Sequence, residues 1–251
     1  MIDKKLIIKN DIVVGYEDRQ AYEVVIPEGV KGIKKGSFAD MKKLCRITFP
    51  TTLEFIESGS FYQSWHLTEI VNKSKLGLKE NNYLSTELDA NARYITKDDN
   101  DSKLEIIDDF VIFTDNGLRV LVNYLGKKRE IITPKGIDVI GKNAFYRNAL
   151  KFKIELSEGV KEIEYYAFEG SNVTEIILPK SLEDVNPKAF NCCYILKKIT
   201  IKNKNTFFWT DSFDHNYEIS DVYYYGQKVD WDSSDLHSMI PKDANIHFIN
   251  E

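Results

Sequence analysis

The residues of this 251-residue chain whose types could do chemistry are three cysteines, four histidines and one acidic run. His66, His215, His237 and His247 show no i,i+4 or HxH spacing, and none lies near a cysteine pair as a zinc site requires. Asp98-Asp99-Asn100-Asp101 suggests a calcium loop. However, the sixth position from Asp98 is Lys103 where glycine is needed, and the twelfth is Asp109 where glutamate is needed. A solvated acidic turn is the reading. Cys45, Cys192 and Cys193 are odd in number and include a vicinal pair, a spacing that rarely closes a relaxed disulfide. Glycine-rich phosphate loops and the GxSxG nucleophile elbow do not occur. No catalytic residue, cofactor site or metal ligand set is therefore assigned, and the chain is expected not to be an enzyme.

Composition narrows the class further. With 43% hydrophobic and 29% charged residues the chain has the make-up of a soluble globular protein, and its net charge of −5 argues against nucleic acid or anionic membrane as partner. No apolar run approaches the ~20 residues of a membrane span, and MIDKKLIIKND has no signal-peptide core. Membrane insertion is not expected. Two compartments stay open: the cytoplasm for the chain as written, or the cell surface if a leader has been removed. The sequons Asn72-Lys73-Ser74 and Asn172-Val173-Thr174 matter only in a eukaryotic secretory route.

The elements that position everything else are repeats. In ILPKSLEDVNPKAFNCCYILKKI (177–199) the apolar residues Leu178, Leu182, Val185, Phe190, Leu196 and Ile199 fit neither a long amphipathic helix nor one strand. Short strands joined by turns fit better, with Pro187-Lys188-Ala189-Phe190 as one helical turn. Four other stretches keep the same pattern, and their phenylalanines keep a nearly constant step, from Phe38 to Phe61, from Phe145 to Phe168 and from Phe168 to Phe190. Such a unit cannot bury its own apolar face, so a fixed period implies a stacked solenoid.

A proline, a V-x-x-I pair, an A-F pair and L-x-x-I in five copies resemble the BspA-type leucine-rich repeat family over about three fifths of the chain. Ser37 and Ser60 replace the alanine, Ser157 the proline, and a slip of about one residue near Leu150 disturbs the local register. The resemblance implies a β-rich leucine-rich-repeat solenoid, a right-handed superhelix of short parallel strands with short helical turns. It also implies that Cys193 is a buried stacking residue, and it favours the bacterial cell surface and adhesion.

The expected organisation is one continuous solenoid domain. It has an N-terminal hairpin cap (1–26, turning at Glu17-Asp18-Arg19), repeats 1–2 (27–71), an irregular insertion or degenerate repeat (72–108) and a hairpin turning at Asn116-Gly117 (109–132). Repeats 3–5 (133–202) and an aromatic C-terminal cap (203–251) complete it.

If Ile47, Phe49, Ile70, Ile176, Leu178, Ile199 and Ile201 point inward, alternate positions face out. One outward column is Arg46 and Glu69, then Lys153, Glu175 and Lys198, alternating in charge; the next is Thr48, Val71, Glu155, Ile177 and Thr200. This is the candidate face for a protein partner. An alternative places a glycan on Trp209, Tyr223, Tyr225 and Trp231, within the aromatic cap that also contains Tyr224, with the repeats serving as scaffold.

Overall fold

The computed structural model describes residues 5–80 and 92–249 and divides into two compact units, Met1–Leu104 and Glu105–Glu251. Residues 81–91 of the expected insertion, and the chain ends 1–4 and 250–251, lie outside the described residues.

In the first unit the strands are β1 (Leu6–Lys9), β2 (Ile12–Tyr16), β3 (Glu23–Val25), β4 (Gly32–Ile33), β5 (Arg46–Phe49), β6 (Phe55–Ile56), β7 (Glu69–Asn72) and β8 (Tyr94–Thr96). They form two four-stranded sheets, β1-β2-β4-β6 and β3-β5-β7-β8. Each repeat thus contributes a very short strand to one sheet and a longer strand to the other. The first hairpin turns at Asn10-Asp11, not at Glu17-Asp18-Arg19. Both residues have positive φ, 51° and 60°, the backbone of a tight hairpin. The segment expected as its return strand is β3, which crosses to the second sheet and pairs in parallel with β5. Its apolar Val24 and the following Ile26 are drawn into the core beside Ile47.

The second unit repeats this plan with β9 (Leu104–Ile107), β10 (Phe110–Asp115), β11 (Leu118–Tyr124), β12 (Glu130–Ile132), β13 (Val139–Ile140), β14 (Phe152–Glu155) and β15 (Glu162–Ile163). There follow β16 (Val173–Leu178), β17 (Asp184–Val185), β18 (Lys198–Ile201), β19 (Phe207–Phe208), β20 (Asp221–Tyr224), helix α1 (Lys228–Asp232) and β21 (Asn245–Phe248). One sheet runs β19-β17-β15-β13-β11-β10-β9, the other β12-β14-β16-β18-β20-β21. The β10–β11 hairpin does turn at Asn116-Gly117, with φ of 49° and 83°. Among the described residues no helix is long and apolar enough to cross a membrane.

What fixes the stack is the phenylalanine of each repeat. Phe145, Phe168, Phe190 and Phe213 form an unbroken column with ring centroids 4.7, 4.9 and 4.7 Å apart and planes within 13° of parallel. Phe38 and Phe61 do the same at 5.1 Å in the first unit. Tyr16 and Tyr124, from the two hairpins, pack on the open ends at Phe38 and Phe145. Phe213 stands one further step along the column from Phe190, so one more repeat lies within the segment read from sequence as an aromatic cap.

The turn around each phenylalanine is a clip and not a helix. Lys188, in the expected helical turn, has φ of 59°, and the second residue after each phenylalanine is also left-handed: Asp40, Gln63, Arg147, Gly170, Cys192 and His215. Turn amides donate forward, Phe168 N–H to Ala189 O at 2.7 Å and Phe190 N–H to Ser212 O at 2.8 Å. Side chains at the third position after the phenylalanine donate backward to the preceding one's carbonyl: Ser64 to Phe38 O (2.6 Å), Cys193 to Phe168 O (3.1 Å) and Asn216 to Phe190 O (2.8 Å). Serine at the alanine position is equally purposeful, since Ser37 and Ser212 hydroxyls donate to Val13 O and Val185 O at 3.0 Å. The slip near Leu150 resolves as a shift in the β14–β16 register. Phe152 pairs with Val173 but Lys153 with Glu175, and the skipped Thr174 donates its hydroxyl to Phe152 O.

Phe168→Ala is expected to cost about 3–5 kcal/mol in denaturant unfolding, because both stacked neighbours lose a face at once. Gly170→Ala is expected to cost about 1–2 kcal/mol, because a side chain is penalised at φ of 64°. Corner carboxylates give a pH dependence. The Thr51 amide holds Glu28 below the ordinary glutamate value of 4.5, and the Lys34 ammonium does so for Glu57. The folded state prefers both ionised. Their contribution is therefore complete above 4.5 and is lost as pH falls through the lower folded values. The urea midpoint should fall on acidification below that point, and less steeply in a Glu28→Gln, Glu57→Gln double variant.

Candidate interaction face

Register settles which outward residues share a row. In the first unit Glu23, Arg46, Glu69 and Tyr94 lie abreast on β3, β5, β7 and β8. Arg46 bridges its neighbours, Nη1 to Glu23 and Nε to Glu69, each at 2.5 Å. Burial works against the Arg46 charge, but the two carboxylates outweigh it and raise its pKa. The middle of this row, Arg46 and Glu69, does not face solvent. The Lys103 amide and Ser102 hydroxyl donate to Glu69 Oε2 at 2.8 and 3.3 Å, Arg46 Nη2 donates to Asp99 O at 2.7 Å, and Lys73 pairs with the Asp99 carboxylate. The stretch after β8 thus lies across the outward face of β5 and β7. Thr48, Glu69 and Val71 are buried, with Glu69 wholly so, and Arg46 keeps only 13% side-chain exposure. The expectation that these four present a binding surface is corrected: Thr48 and Val71 are buried, and a polar segment distant in the chain supplies the acceptor and donors that cover Arg46 and Glu69. The acidic run does this work. Asp98 accepts the Asn100 amide at 2.9 Å and Asp101 accepts the Tyr94 hydroxyl.

The six-stranded sheet of the second unit keeps its outward face open. Glu130, Lys153, Glu175, Lys198 and Asp221 lie abreast on β12, β14, β16, β18 and β20. The charge alternation read for its middle three members therefore extends by Glu130 and Asp221. Lys153 Nζ meets Glu175 Oε1 at 2.8 Å, and this bond raises the Lys153 pKa. The second row is Ile132, Glu155, Ile177, Thr200, Tyr223 and His247. Ile132 is 69% exposed and Ile177 and Thr200 half-buried. Glu155 pairs with Lys202 at 3.2 Å. At the last strand Tyr223 stacks on His247, centroids 4.6 Å apart, and His247 Nε2 lies 3.0 Å from Asp221 Oδ1. That contact lowers the Asp221 pKa.

The BspA type leucine rich repeat region matches residues 16–96 and 123–232, in six copies. The chain belongs to this family. Among solved structures, this BspA-type chain is similar to a leucine rich cell surface protein from Faecalibacterium prausnitzii, at 16% identity and TM-score 0.42, over 85% of this chain and 62% of that one. It is also similar to the Pneumococcal vaccine antigen PcpA (17%, 91% and 79%, 0.44) and to a leucine-rich repeat protein from Eubacterium ventriosum (14%, 91% and 66%, 0.47). The chain thus spans less than two thirds of the Faecalibacterium structure. No curated protein sequence matches it.

Within the BspA-type stack the aromatic alternative is not assembled. Trp231 is buried in the core, edge-on to Tyr224 at 5.3 Å, so it is removed from any exposed platform. Its ring, carried on helix α1, packs into the core of the second unit within the segment expected as an aromatic cap. Trp209 is exposed but follows β19 on the other sheet, bonded to Asp184, while Tyr223 and Tyr225 belong to β20 and its end. The cysteines are free, and burial pushes the Cys193 thiol up to about 12. It is a structural donor to Phe168 O, as its place in the repeat implies.

Equivalent rows with unequal burial should respond unequally. Glu69→Gln is expected to cost about 3–5 kcal/mol because Arg46 loses a buried partner, whereas Glu175→Gln should cost less than about 1 kcal/mol. Chemical denaturation followed by circular dichroism distinguishes the two.

Proposed function

We propose that this chain is a non-enzymatic protein-interaction module whose partner rests on the outer face of the β12-β14-β16-β18-β20-β21 sheet, and that its use is adhesion at a cell surface. The family is a repeat family, generally non-enzymatic and suited to protein binding. The observation that carries the reading is the open second row. Ile132, Ile177 and Tyr223 alternate with polar residues across it, while the adjoining row carries opposite charges in register. Such a face offers apolar anchors inside a polar rim, the composition of a non-obligate interface.

Size limits what this face does alone. Six strands at ~4.8 Å and four residues at ~3.3 Å give a patch of about 24 by 13 Å, roughly 300 Å². A standard interface takes about 800 Å² from each partner. The sheet face therefore needs contacts beyond its own strands.

An array of host and bacterial surface proteins probed with the labelled chain tests the reading. Bound partners should be lost on Ile177→Lys and weakened by Thr200→Lys with the circular dichroism spectrum unchanged. Partners that bind both variants as they bind the native chain would remove the sheet face from the interface.

A further inference from the structure

The contacts missing from the sheet face have an obvious neighbour. Beside the starts of β14, β16 and β18 lies an open recess of about 590 Å³, walled by Lys151, Lys197, Lys198 and Glu218, with Tyr194 and Ile195 as apolar surface. Tyr194 is 59% exposed. Glu175 also lines it, but its charge is answered by Lys153. None of Lys151, Lys197 and Lys198 makes an ion pair among the described residues, and all three are exposed. Three free lysines against one free glutamate leave a local charge of +2 on a chain whose net charge is −5.

We propose that this recess holds an acidic, extended segment of the protein partner, with two carboxylates four residues apart and an apolar side chain midway between them on the same face, a spacing set by the strand geometry. The inference rests on the sheet face being the partner surface. Lys151 immediately precedes β14 and Lys197 immediately precedes β18, and those strands are separated by β16 alone. Two strand spacings amount to about 10 Å, and the side chains of an extended chain share a face only at even separations. Acids at i and i+4 lie about 13 Å apart at ~3.3 Å per residue, and the two long lysine side chains take up the difference by splaying outward. The apolar side chain between the two acids meets Tyr194 and Ile195. Lys198, which is also a member of the outward charge row, joins the recess to the sheet face, so one partner can span both. A dense polyanion fits less well. Glu218 stands in the same wall and repels a ligand that carries charge on every unit, such as a sulfated glycan or a nucleic acid strand.

The test is fluorescence polarisation on the full chain. One labelled short peptide carries two aspartates at positions i and i+4 around a leucine at i+2, and a second carries the same residues with the aspartates adjacent. The spaced peptide should bind more tightly. A Lys151→Gln, Lys197→Gln double variant should weaken it about fivefold to tenfold, as expected for two exposed charge contacts, and the double arginine variant should restore it. Binding that is equal for the two peptides, absent at millimolar concentration, or unchanged in the glutamine variant would overturn the proposal. Tighter binding of a sulfated oligosaccharide or single-stranded DNA would also overturn it. Failure here is separable from failure of the sheet-face reading. An array partner lost on Ile177→Lys but bound normally by the lysine double variant removes the recess alone.

Discussion

Everything in this structure depends on one constraint: a repeat this short buries its apolar side chains only against the same side chains of its neighbours. The phenylalanine column shows how narrow the tolerance is. Rings spaced by 4.7 to 4.9 Å with planes 5° to 13° apart match the distance between parallel strands, so ring stacking and strand pairing are satisfied by the same translation. A change in that translation at one level would be felt at the other. The hydrogen bonds to the phenylalanine carbonyls have the same role, because each fixes the step between turns as well as the turn itself.

The parts of this that were legible in the sequence were those encoded at fixed separation. Residues of one type recurring at a constant step identify the stack, and alternation within Ile199-Thr200-Ile201 identifies inward and outward positions. The row Lys153, Glu175, Lys198 follows from those two facts, and the register reproduces it. Phe213 was equally legible by spacing but stands among so many aromatic residues that composition obscured period. The first hairpin misled for a related reason: Glu17-Asp18-Arg19 is the more polar turn, yet Asn10-Asp11 has the residue types that accept positive φ. What no local pattern could disclose is the cover over Arg46 and Glu69. It depends on a carbonyl at Asp99 and an amide at Lys103, backbone groups whose identity the sequence does not write.

Burial changes the meaning of an ion pair without changing its residues. Arg46–Glu69 and Lys153–Glu175 occupy the same place in the repeat, each a cation on one strand beside a glutamate on the next. Water screens the second pair and leaves it a modest contact at a surface that a partner can approach. The first pair is held by backbone donors and acceptors in place of water, so its charges are structural and unavailable. The candidate face is thus narrowed by solvation more than by residue type.

The forward direction of the turn amides has a consequence for how such a gene can change length. Phe145, Phe168 and Phe190 each give their N–H to the residue before the next phenylalanine, and Arg147, Gly170 and Cys192 give theirs to the residue after it. A deletion that ended partway through a unit would strand both of these donors, which folded proteins rarely tolerate. Gain or loss of an entire unit strands none. Recombination can therefore lengthen or shorten the stack in whole steps, sliding an outer sheet face along the axis while leaving each junction chemically unaltered.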